Sequence, residues 1–213
     1  ALPIYLAYLE NLVALSRKYD FTLVVDECYA EIYNGDPPPG TLQGCAAQND
    51  DMSGILVFHS LSKRSNVAGL RSGFVAGDGE MLMLFRRLSE YGGSPSPLPV
   101  YAAATALWQD EDHVIANRAL YGEKFDLAER ILSNRFGFYR PQGGFFLWLD
   151  VGDGEAATKE LWARAAIRVL PGSYLSADDG IHDNPGRRYI RVAMVHDKAV
   201  MEDALARISD TLS

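Results

Sequence analysis

Two short apolar runs, each followed at once by polar residues, constrain the fold of this chain most strongly. The first run is Phe21–Val25, which ends in Asp26, and the second is Ile55–Phe58, which leads into His59–Lys63. Unbroken apolar runs of this length are typical of strands that are buried on both faces of a parallel sheet. Open α/β sheets place ligand contacts at the carboxyl ends of such strands. The runs therefore predict a parallel-rich sheet with a ligand site at its carboxyl edge.

Periodicity in the remaining sequence predicts the other elements. We expect helices over residues 2–19, 81–91, 100–134, 156–166 and 197–212, the last with Asp197 as N-cap. Further strands are expected over 72–77, 144–151, 167–170 and 189–195, and a surface loop over 37–53. Strands that alternate with helices predict an α/β first half, and the second half indicates a smaller α+β domain. We place the boundary within the long helix, which gives a large domain over 1–120 and a small domain over 121–213.

Composition argues against several classes of function. The 213 residues carry a formal net charge of −8, so the chain lacks the basic field of a nucleic-acid or anionic-membrane surface. Two cysteines are too few for a disulfide framework and favour a reducing cytoplasm. No apolar run approaches the roughly 20 residues of a membrane span. We predict no metal site, because metal-ligand spacing is missing from the histidines, which are His59, His113, His182 and His196.

Polar residues with chemical potential follow both apolar runs. Asp26 and Tyr29 would face one crevice if the chain turns helical there, although a lone strand-end Asp is more often a loop carboxylate or a helix cap. After the second run, Ser60, Ser62 and Lys63 offer hydroxyls and a charge for a phosphate, and Arg71 follows. Gly69 and Gly73 would let the backbone approach a ligand closely. The alternative for this segment is a solvated loop between two strands.

Taken together, these segments show a family resemblance. Ser60–Gly73 resembles the active-site segment of class I/II (fold-type I) aminotransferases, which depend on pyridoxal phosphate (PLP). Val25–Tyr29 resembles the pyridine-binding segment of that family. Three more matches follow in the family's order and extend the resemblance over essentially the whole chain: Pro141–Trp148, Val169–Ser173 and Tyr189–Val192. The resemblance implies part of a fold-type I large domain, followed by a small α+β domain.

The resemblance also implies a role for each matching residue. Lys63 would form the Schiff base with PLP and later move protons at the substrate Cα. Asp26 would pair with the pyridine nitrogen, and Tyr29 would donate to the phenolic oxygen of the cofactor. The phosphate would be bound by Ser60, Ser62 and Arg71. In the second half, Arg191 would hold the substrate α-carboxylate, and the backbone near Gly144 would border the substrate.

Elementary electrostatics agrees with these roles. A protonated pyridine is a better electron sink than a neutral one, and a carboxylate against its nitrogen favours the protonated form. Opposite charges about 4 Å apart interact by about 4 kcal/mol at an effective dielectric near 20. Lys63 must be deprotonated at some stage, and we expect nearby Arg64 and Arg71 to lower its pKa. Arg191 would share one strand face with Tyr189 and Ala193, although a surface strand arginine is the plainer alternative.

The stretch Ser62–Asp78 looks particularly like bacterial N-succinyldiaminopimelate aminotransferases of lysine biosynthesis. Such enzymes exchange an amino group between glutamate and a succinylated keto-pimelate, and family resemblance implies a homodimer. Other PLP enzymes remain open as alternatives, namely alanine, aspartate or aromatic aminotransferases, C–S lyases and decarboxylases. A structural or interaction module that uses the helix Val100–Arg130 also remains open. A nucleotide-binding module is disfavoured, because the chain has no glycine fingerprint after a strand.

Several family features have no recognisable counterpart in the sequence. They are a glycine-containing phosphate loop, an aromatic residue stacked on the pyridine ring and an Asn-Pro motif. We therefore expect a C-terminal part of a longer enzyme, or a form completed by another chain. Strands such as Phe21–Val25 would then leave apolar faces and strand edges uncovered. A further hypothesis is that the 213-residue chain alone binds PLP poorly and turns over slowly or not at all.

Overall fold

The computed structural model describes residues 5–93, 95–177 and 183–212. The chain divides into two compact units, Ala1–Arg118 (unit 1) and Ala119–Ser213 (unit 2). The division falls within one long helix, Asp112–Leu132, which begins in unit 1 and ends in unit 2. Each unit has its own three-stranded sheet.

Unit 1 is built around a mixed sheet. In chain order it contains α1 (Leu6–Tyr19), β1 (Leu23–Asp26), a 3₁₀ helix (Thr41–Gln48), β2 (Ile55–Ser60), α2 (Leu61–Arg64), β3 (Gly73–Gly77), α3 (Gly79–Gly92), α4 (Leu98–Gln109) and the start of α5 (Asp112–Leu132). Strand β2 is central, with β1 parallel to it and β3 antiparallel. The α/β class is confirmed, but β3 departs from a purely parallel order. The link from β2 to β3 holds only a helical turn and a 3₁₀ turn, whereas a parallel return usually needs a longer crossover helix.

The core of unit 1 lies between α1, the 3₁₀ helix and one face of the sheet. Its buried members are Val13, Cys45, Ile55 and Val57. The 3₁₀ helix approaches α1 closely, since a Cβ at Gly44 would lie 3.0 Å from the main-chain carbon of Leu9. The expectation of a plain surface loop over 37–53 is therefore wrong. Its polar composition concealed a turn that carries a fully buried cysteine.

Strand β1 corrects a second expectation. Its burial alternates, and the side chain of Val24 is 58% exposed. An apolar run predicted burial on both faces, but only one face of β1 is covered within unit 1. Phe21 and Phe74 are also exposed on this unit. The expectation that apolar faces of these strands would be left uncovered is confirmed.

Unit 2 has an antiparallel sheet in the order β4-β6-β5. Its strands and helices after α5 are β4 (Phe146–Asp150), α6 (Gly154–Ala165), β5 (Leu170–Pro171), β6 (Tyr189–Ala193) and α7 (Lys198–Thr211). Alternate residues of β4 and β6 are buried, as a sheet with one covered face requires. The core includes Leu149, Leu161, Ile190 and Leu205, all fully buried. The predicted α+β organisation of this half is confirmed.

The largest departures from the sequence expectations concern one helix, one strand and one helix cap. The predicted helix over 100–134 is two helices, α4 and α5, separated at Asp110 and Glu111. Asp110 Oδ1 accepts a hydrogen bond from the Asp112 amide over 3.0 Å, which favours a new helix start. The strand expected over 167–170 is limited to β5. Asp197 is the N-cap of α7 in position, but its side chain makes no capping hydrogen bond.

Candidate active site

The carboxyl ends of β1 and β2 lie side by side because these strands run parallel. The register places Asp26 opposite Phe58, and the Glu27 amide donates to the Phe58 carbonyl over 2.9 Å. Ser60 ends β2, and Lys63 lies on α2, which follows at once. The structure therefore brings candidate residues from two separate segments to one edge of the sheet.

A turn after β1 holds the Asp26 carboxylate. The Cys28 amide donates to Asp26 Oδ1 over 2.9 Å. Hydrogen bonds from the Cys28 thiol and then from its amide lower the pKa of Asp26, with a smaller contribution from the charge of His59, while desolvation opposes them. Asp26 is consequently an anion at neutral pH.

Cys28 responds electrostatically to both candidate charges of the site. Burial raises the pKa of its thiol to about 11, and the hydrogen bond to Asp26 and the Asp26 charge act in the same direction. A hydrogen bond with Ser60 and the charge of Lys63 act in the opposite direction. The partly buried thiol is thus hydrogen-bonded to Asp26 and lies within electrostatic range of Lys63.

The amine of Lys63 lies over the Tyr29 ring, with Nζ 5.8 Å from the ring centre. A cation at this distance from an aromatic face is attracted by the ring quadrupole. The expected approach of Tyr29 to the lysine site is thus present. Tyr29 itself is 41% exposed, so its ring borders an accessible space.

The hydroxyl pair after β2 is ordered by the local backbone. Ser60 Oγ accepts from the Ser62 amide over 3.0 Å and donates to Ser62 Oγ over 2.9 Å. Ser60 Oγ also lies 3.4 Å from the Ser72 carbonyl oxygen. The neighbouring Arg71 has a left-handed backbone with φ of 53° and donates from Nη1 to the Ala68 carbonyl over 2.9 Å. Two oriented hydroxyls and an exposed guanidinium therefore belong to one loop.

Sequence reasoning missed a contact between a histidine and a glutamate beside the site. His59 Nε2 lies 3.1 Å from Glu27 Oε2, and Glu27 Oε1 accepts from the Thr41 amide over 2.6 Å. The His59 ring stacks on Phe74 at a centroid distance of 4.8 Å. Glu27 and His59 each follow or precede a candidate residue directly, and this adjacency on paired strands was the available signal.

Arg64 also departs from its expected place. Its side chain is only 3% exposed and donates from Nη1 to the Leu107 carbonyl over 2.7 Å. Its Nη2 pairs with Glu111, and its guanidinium lies 4.9 Å from the Trp108 ring centre. The Arg64 charge, which was expected to act on Lys63, is paired with Glu111 in the structure.

The two glycines of this segment have different surroundings. A Cβ at Gly73 would overlap the His59 carbonyl oxygen across the β2–β3 pair. At Gly69 a Cβ would meet nothing within 4 Å. The close approach predicted at Gly73 therefore exists, but it is an approach to β2.

Unit 2 contains the two candidate substrate residues. Arg191 lies on β6 with Tyr189 and Ala193 on the same face, as expected from strand alternation. Its guanidinium carbon lies 4.3 Å from the centre of the Phe146 ring. A stacked guanidinium keeps its N–H edge available for a planar anion. Gly144 has φ of 82°, a conformation that favours glycine.

The donor set of unit 1 fits pyridoxal phosphate. This cofactor requires an amine for its aldehyde, an anion for its ring nitrogen, a donor for its phenolic oxygen and several donors for its phosphate. Side chains of all four kinds are provided near the carboxyl edge of the sheet by Lys63, Asp26, Tyr29, Ser60, Ser62 and Arg71. The fit depends on the parallel pairing of β1 and β2, which puts Asp26 and the Lys63 segment at one sheet edge, and on the position of Lys63 over the Tyr29 ring.

Residues 5–93, 95–177 and 183–212 contain neither a metal-binding cluster nor a membrane-spanning helix. No group of three or more His, Cys, Asp or Glu side chains there could hold a metal ion, and His182 lies outside those ranges. None of the helices in those ranges is both long and apolar enough to cross a membrane.

Three known proteins that are similar to this chain are each named as an aminotransferase or transaminase. An aminotransferase of Neisseria meningitidis Z2491 with a solved structure is 44% identical, with a TM-score of 0.92 over 99% of this chain and 54% of its own. The 4-dedimethylamino-4-oxo-anhydrotetracycline transaminase OxyQ of Streptomyces rimosus is 32% identical over 94% of this chain and 54% of its own length. An LL-diaminopimelate aminotransferase of Syntrophobacter fumaroxidans is 29% identical over 94% of this chain and 50% of its own.

The chain thus spans about half the length of the curated relatives it matches. A family model described as aminotransferase class I and II matches residues 4–208, which is nearly the whole chain. Enzymes of this class use pyridoxal phosphate. The chain belongs to the class I and II aminotransferase family, and its fold is that of the fold-type I members.

Proposed function

We propose that this chain carries the lysine-bearing part of a PLP-dependent aminotransferase, with Lys63 as its catalytic residue. The geometry that supports this most directly is the parallel pairing of β1 and β2, which puts Asp26 and the Lys63 segment at one edge of the unit 1 sheet, together with the position of Lys63 over the Tyr29 ring. The division into a large domain over 1–120 and a small domain over 121–213 belongs to the same proposal.

When bound, PLP supplies an electrophilic aldehyde and an aromatic ring that draws electrons from the substrate Cα. The amine of Lys63 would hold the cofactor at its aldehyde and, when free, would move a proton at the substrate Cα. Asp26, held ionised by Cys28, keeps a proton on the ring nitrogen. Tyr29 donates its phenolic proton to the neighbouring oxygen of the ring.

The phosphate of the cofactor is bound by the loop between β2 and β3. Ser60 and Ser62 donate hydroxyl hydrogens, and Arg71 adds a positive charge. The Ser62 amide can keep its hydrogen bond to Ser60 Oγ and so restrict that side chain, whereas the single hydroxyl hydrogen of Ser60 must turn from Ser62 Oγ to the phosphate. A local anion site of this kind is compatible with a negative net charge, because only a few residues decide it.

The substrate is bound by residues of unit 2 in this proposal. Arg191 captures the α-carboxylate through two parallel hydrogen bonds, and stacking on Phe146 fixes the plane of its guanidinium. The backbone at Gly144 borders the substrate. A fixed carboxylate orients the Cα–H bond towards the proton acceptor.

The finer proposal concerns the substrate. We propose amino transfer between glutamate and a keto acid, namely N-succinyl-2-amino-6-oxopimelate in lysine biosynthesis. The sequence motif around Lys63 supports it, and a relative that acts on LL-diaminopimelate supports a long dicarboxylic amino acid as the substrate class. Alanine, aspartate and aromatic amino acids are the competing substrates within the same family.

The setting of the enzyme is also part of the proposal. We propose a cytoplasmic homodimer. Both cysteines are free, which suits a reducing compartment. Exposed apolar side chains on unit 1, such as Val24 and Leu88, suit coverage by a further protein surface.

A half-reaction assay tests the function. The chain, alone and as part of any longer polypeptide that contains it, is loaded with PLP and mixed with glutamate, alanine, aspartate or diaminopimelate derivatives. An aminotransferase converts bound PLP into pyridoxamine phosphate and releases the matching keto acid, and we expect this with glutamate. Release of ammonia and pyruvate-type products without pyridoxamine phosphate would instead identify a lyase. Pyridoxamine phosphate formation at the same rate after Lys63→Ala would contradict the proposal.

A further inference from the structure

We infer that Arg64 is a positioning residue for Lys63, and that it acts with Ser65 and Asn66 as a three-residue clamp on the α4–α5 junction. This inference rests on the proposed function of Lys63. It concerns residues that never touch the cofactor in the proposal, and it assigns them the task of holding the lysine-bearing turn in place.

The helix that carries Lys63 cannot hold itself. With only Leu61–Arg64 it is a single turn, and one turn fixes more backbone angles than its hydrogen bonds repay. A lysine on such a turn keeps a defined direction only if neighbouring residues attach the turn to a larger element. Leu61 contributes a fully buried side chain, but apolar contact alone does not fix rotation of the turn.

Arg64 supplies the directional attachment. It is adjacent to Lys63, is 3% exposed, and binds the end of α4 through the Leu107 carbonyl over 2.7 Å. It also pairs with Glu111 and lies over Trp108. A buried guanidinium without partners is strongly unfavourable, so the turn is stable only in the orientation that satisfies these contacts.

The two following residues attach to the same junction. Ser65 Oγ lies 2.8 Å from Nε2 of His113, whose Nδ1 lies 2.8 Å from Asp110 Oδ2. Asn66 Nδ2 donates to Asn117 Oδ1 over 2.9 Å, from a left-handed backbone with φ of 56°. Three consecutive side chains after Lys63 therefore reach one short stretch of sequence.

Two measurements test the clamp on the full chain, with the variants Arg64→Met, Arg64→Lys and Glu111→Gln. The first is hydrogen exchange of the amides of 61–66 without cofactor, which reports local opening. We expect about tenfold faster exchange in Arg64→Met, the factor that follows from losing one charge-assisted hydrogen bond. The second is borohydride-fixed PLP on Lys63 relative to Lys18 of the same molecule, which we expect to fall by about tenfold for the same reason.

The matched control is Arg86→Met, because Arg86 is 84% exposed and pairs with Glu90 on the surface of α3. It should leave both readouts unchanged. Arg64→Lys should restore part of the labelling ratio, since lysine keeps the charge but cannot make both contacts. If Arg64→Met does not fold, Glu111→Gln decides, with an intermediate loss expected. Unchanged exchange and unchanged labelling in both Arg64→Met and Glu111→Gln would overturn the clamp. Failure of the unaltered chain to label Lys63 would overturn the proposed function instead. In that case the hydrogen-exchange result alone would test the clamp.

Discussion

The sheets of the two units differ in how completely their own residues cover them. In unit 2, alternate residues of β4 and β6 are buried, and Leu149 and Ile190 are fully enclosed. In unit 1, Val24 on β1 is 58% exposed, and the structure describes all of α3 without a single buried residue. The candidate cofactor residues lie on the less covered sheet. The proposed cofactor site is therefore on the unit whose sheet is less covered by its own residues.

The largest expected effect concerns Lys63. Lys63→Ala should lower the rate of amino transfer by about 10⁴-fold or more, on the scale of other covalent catalytic groups. The control is Lys18→Ala, a lysine of the same unit that lies over Tyr19. Rates are compared in the PLP half-reaction. Equal rates for the two variants would mean that the chemistry does not depend on unit 1 as described.

Asp26→Asn should have the next largest effect on rate. The variant keeps a hydrogen-bonding group but loses a charge whose interaction with a pyridinium is worth about 4 kcal/mol at 4 Å, or about a thousandfold. Because the pKa of Asp26 is lowered by Cys28, the wild-type rate should fall only when the pH drops below the ordinary aspartate value of 3.8. Asp20→Asn removes the same charge from an exposed position and should have no effect. If the rate of the Asp26→Asn variant lies within threefold of that of Asp20→Asn, Asp26 has no role in the reaction.

A matched pair of leucines tests the contrast between the two sheets. Leu149→Ala in β4 should lower the free energy of unfolding by about 2–5 kcal/mol, because the side chain is fully buried and leaves a cavity. In the chain as a monomer, Leu88→Ala in α3 should change it by less than about 0.5 kcal/mol, since Leu88 is 69% exposed there. Denaturant titration measures both. A loss at Leu88 as large as that at Leu149 would show that unit 1 is covered in solution.

The smallest effect is a change in thiol reactivity. Alkylation of Cys28 should follow ionisation of its thiol, whose pKa of about 11 arises from burial and then from Asp26. Asp26→Asn should lower that pKa and speed alkylation at pH 8, with fully buried Cys45 as the unreactive internal control. The raised pKa also means that Cys28 stabilises the fold fully below pH 9.0, and that this contribution is lost as the pH rises through 11. If the alkylation rate of Cys28 has its pH midpoint near 9.0, neither burial nor Asp26 raises the pKa of the thiol as described.

Much of the site follows from local sequence patterns. Apolar runs that end in polar residues predicted the placement of Asp26 and of Ser60–Lys63, because strand ends are determined by local composition. Alternation predicted the face of Arg191 for the same reason. The α/β and α+β halves also followed from the order of the elements.

The features that were missed depend on tertiary packing. A basic residue beside Lys63 predicts loop charge, and nothing local indicates that Arg64 is buried against Trp108 and Glu111. The exposure of Val24 depends on what covers β1, which an apolar run cannot indicate. The helix break at Asp110 was the exception, because its acidic cluster is typical of a helix start.

Chemical trapping of the cofactor tests the central claim most directly. The chain is incubated with PLP, reduced with borohydride and digested, and the pyridoxyl label is located by mass spectrometry. We expect the label to lie mainly on Lys63, its yield to fall in Asp26→Asn, and Lys18 to carry only a small fraction of the Lys63 label at the same concentration. A label distributed over surface lysines, with Lys63 unmodified, would contradict the account.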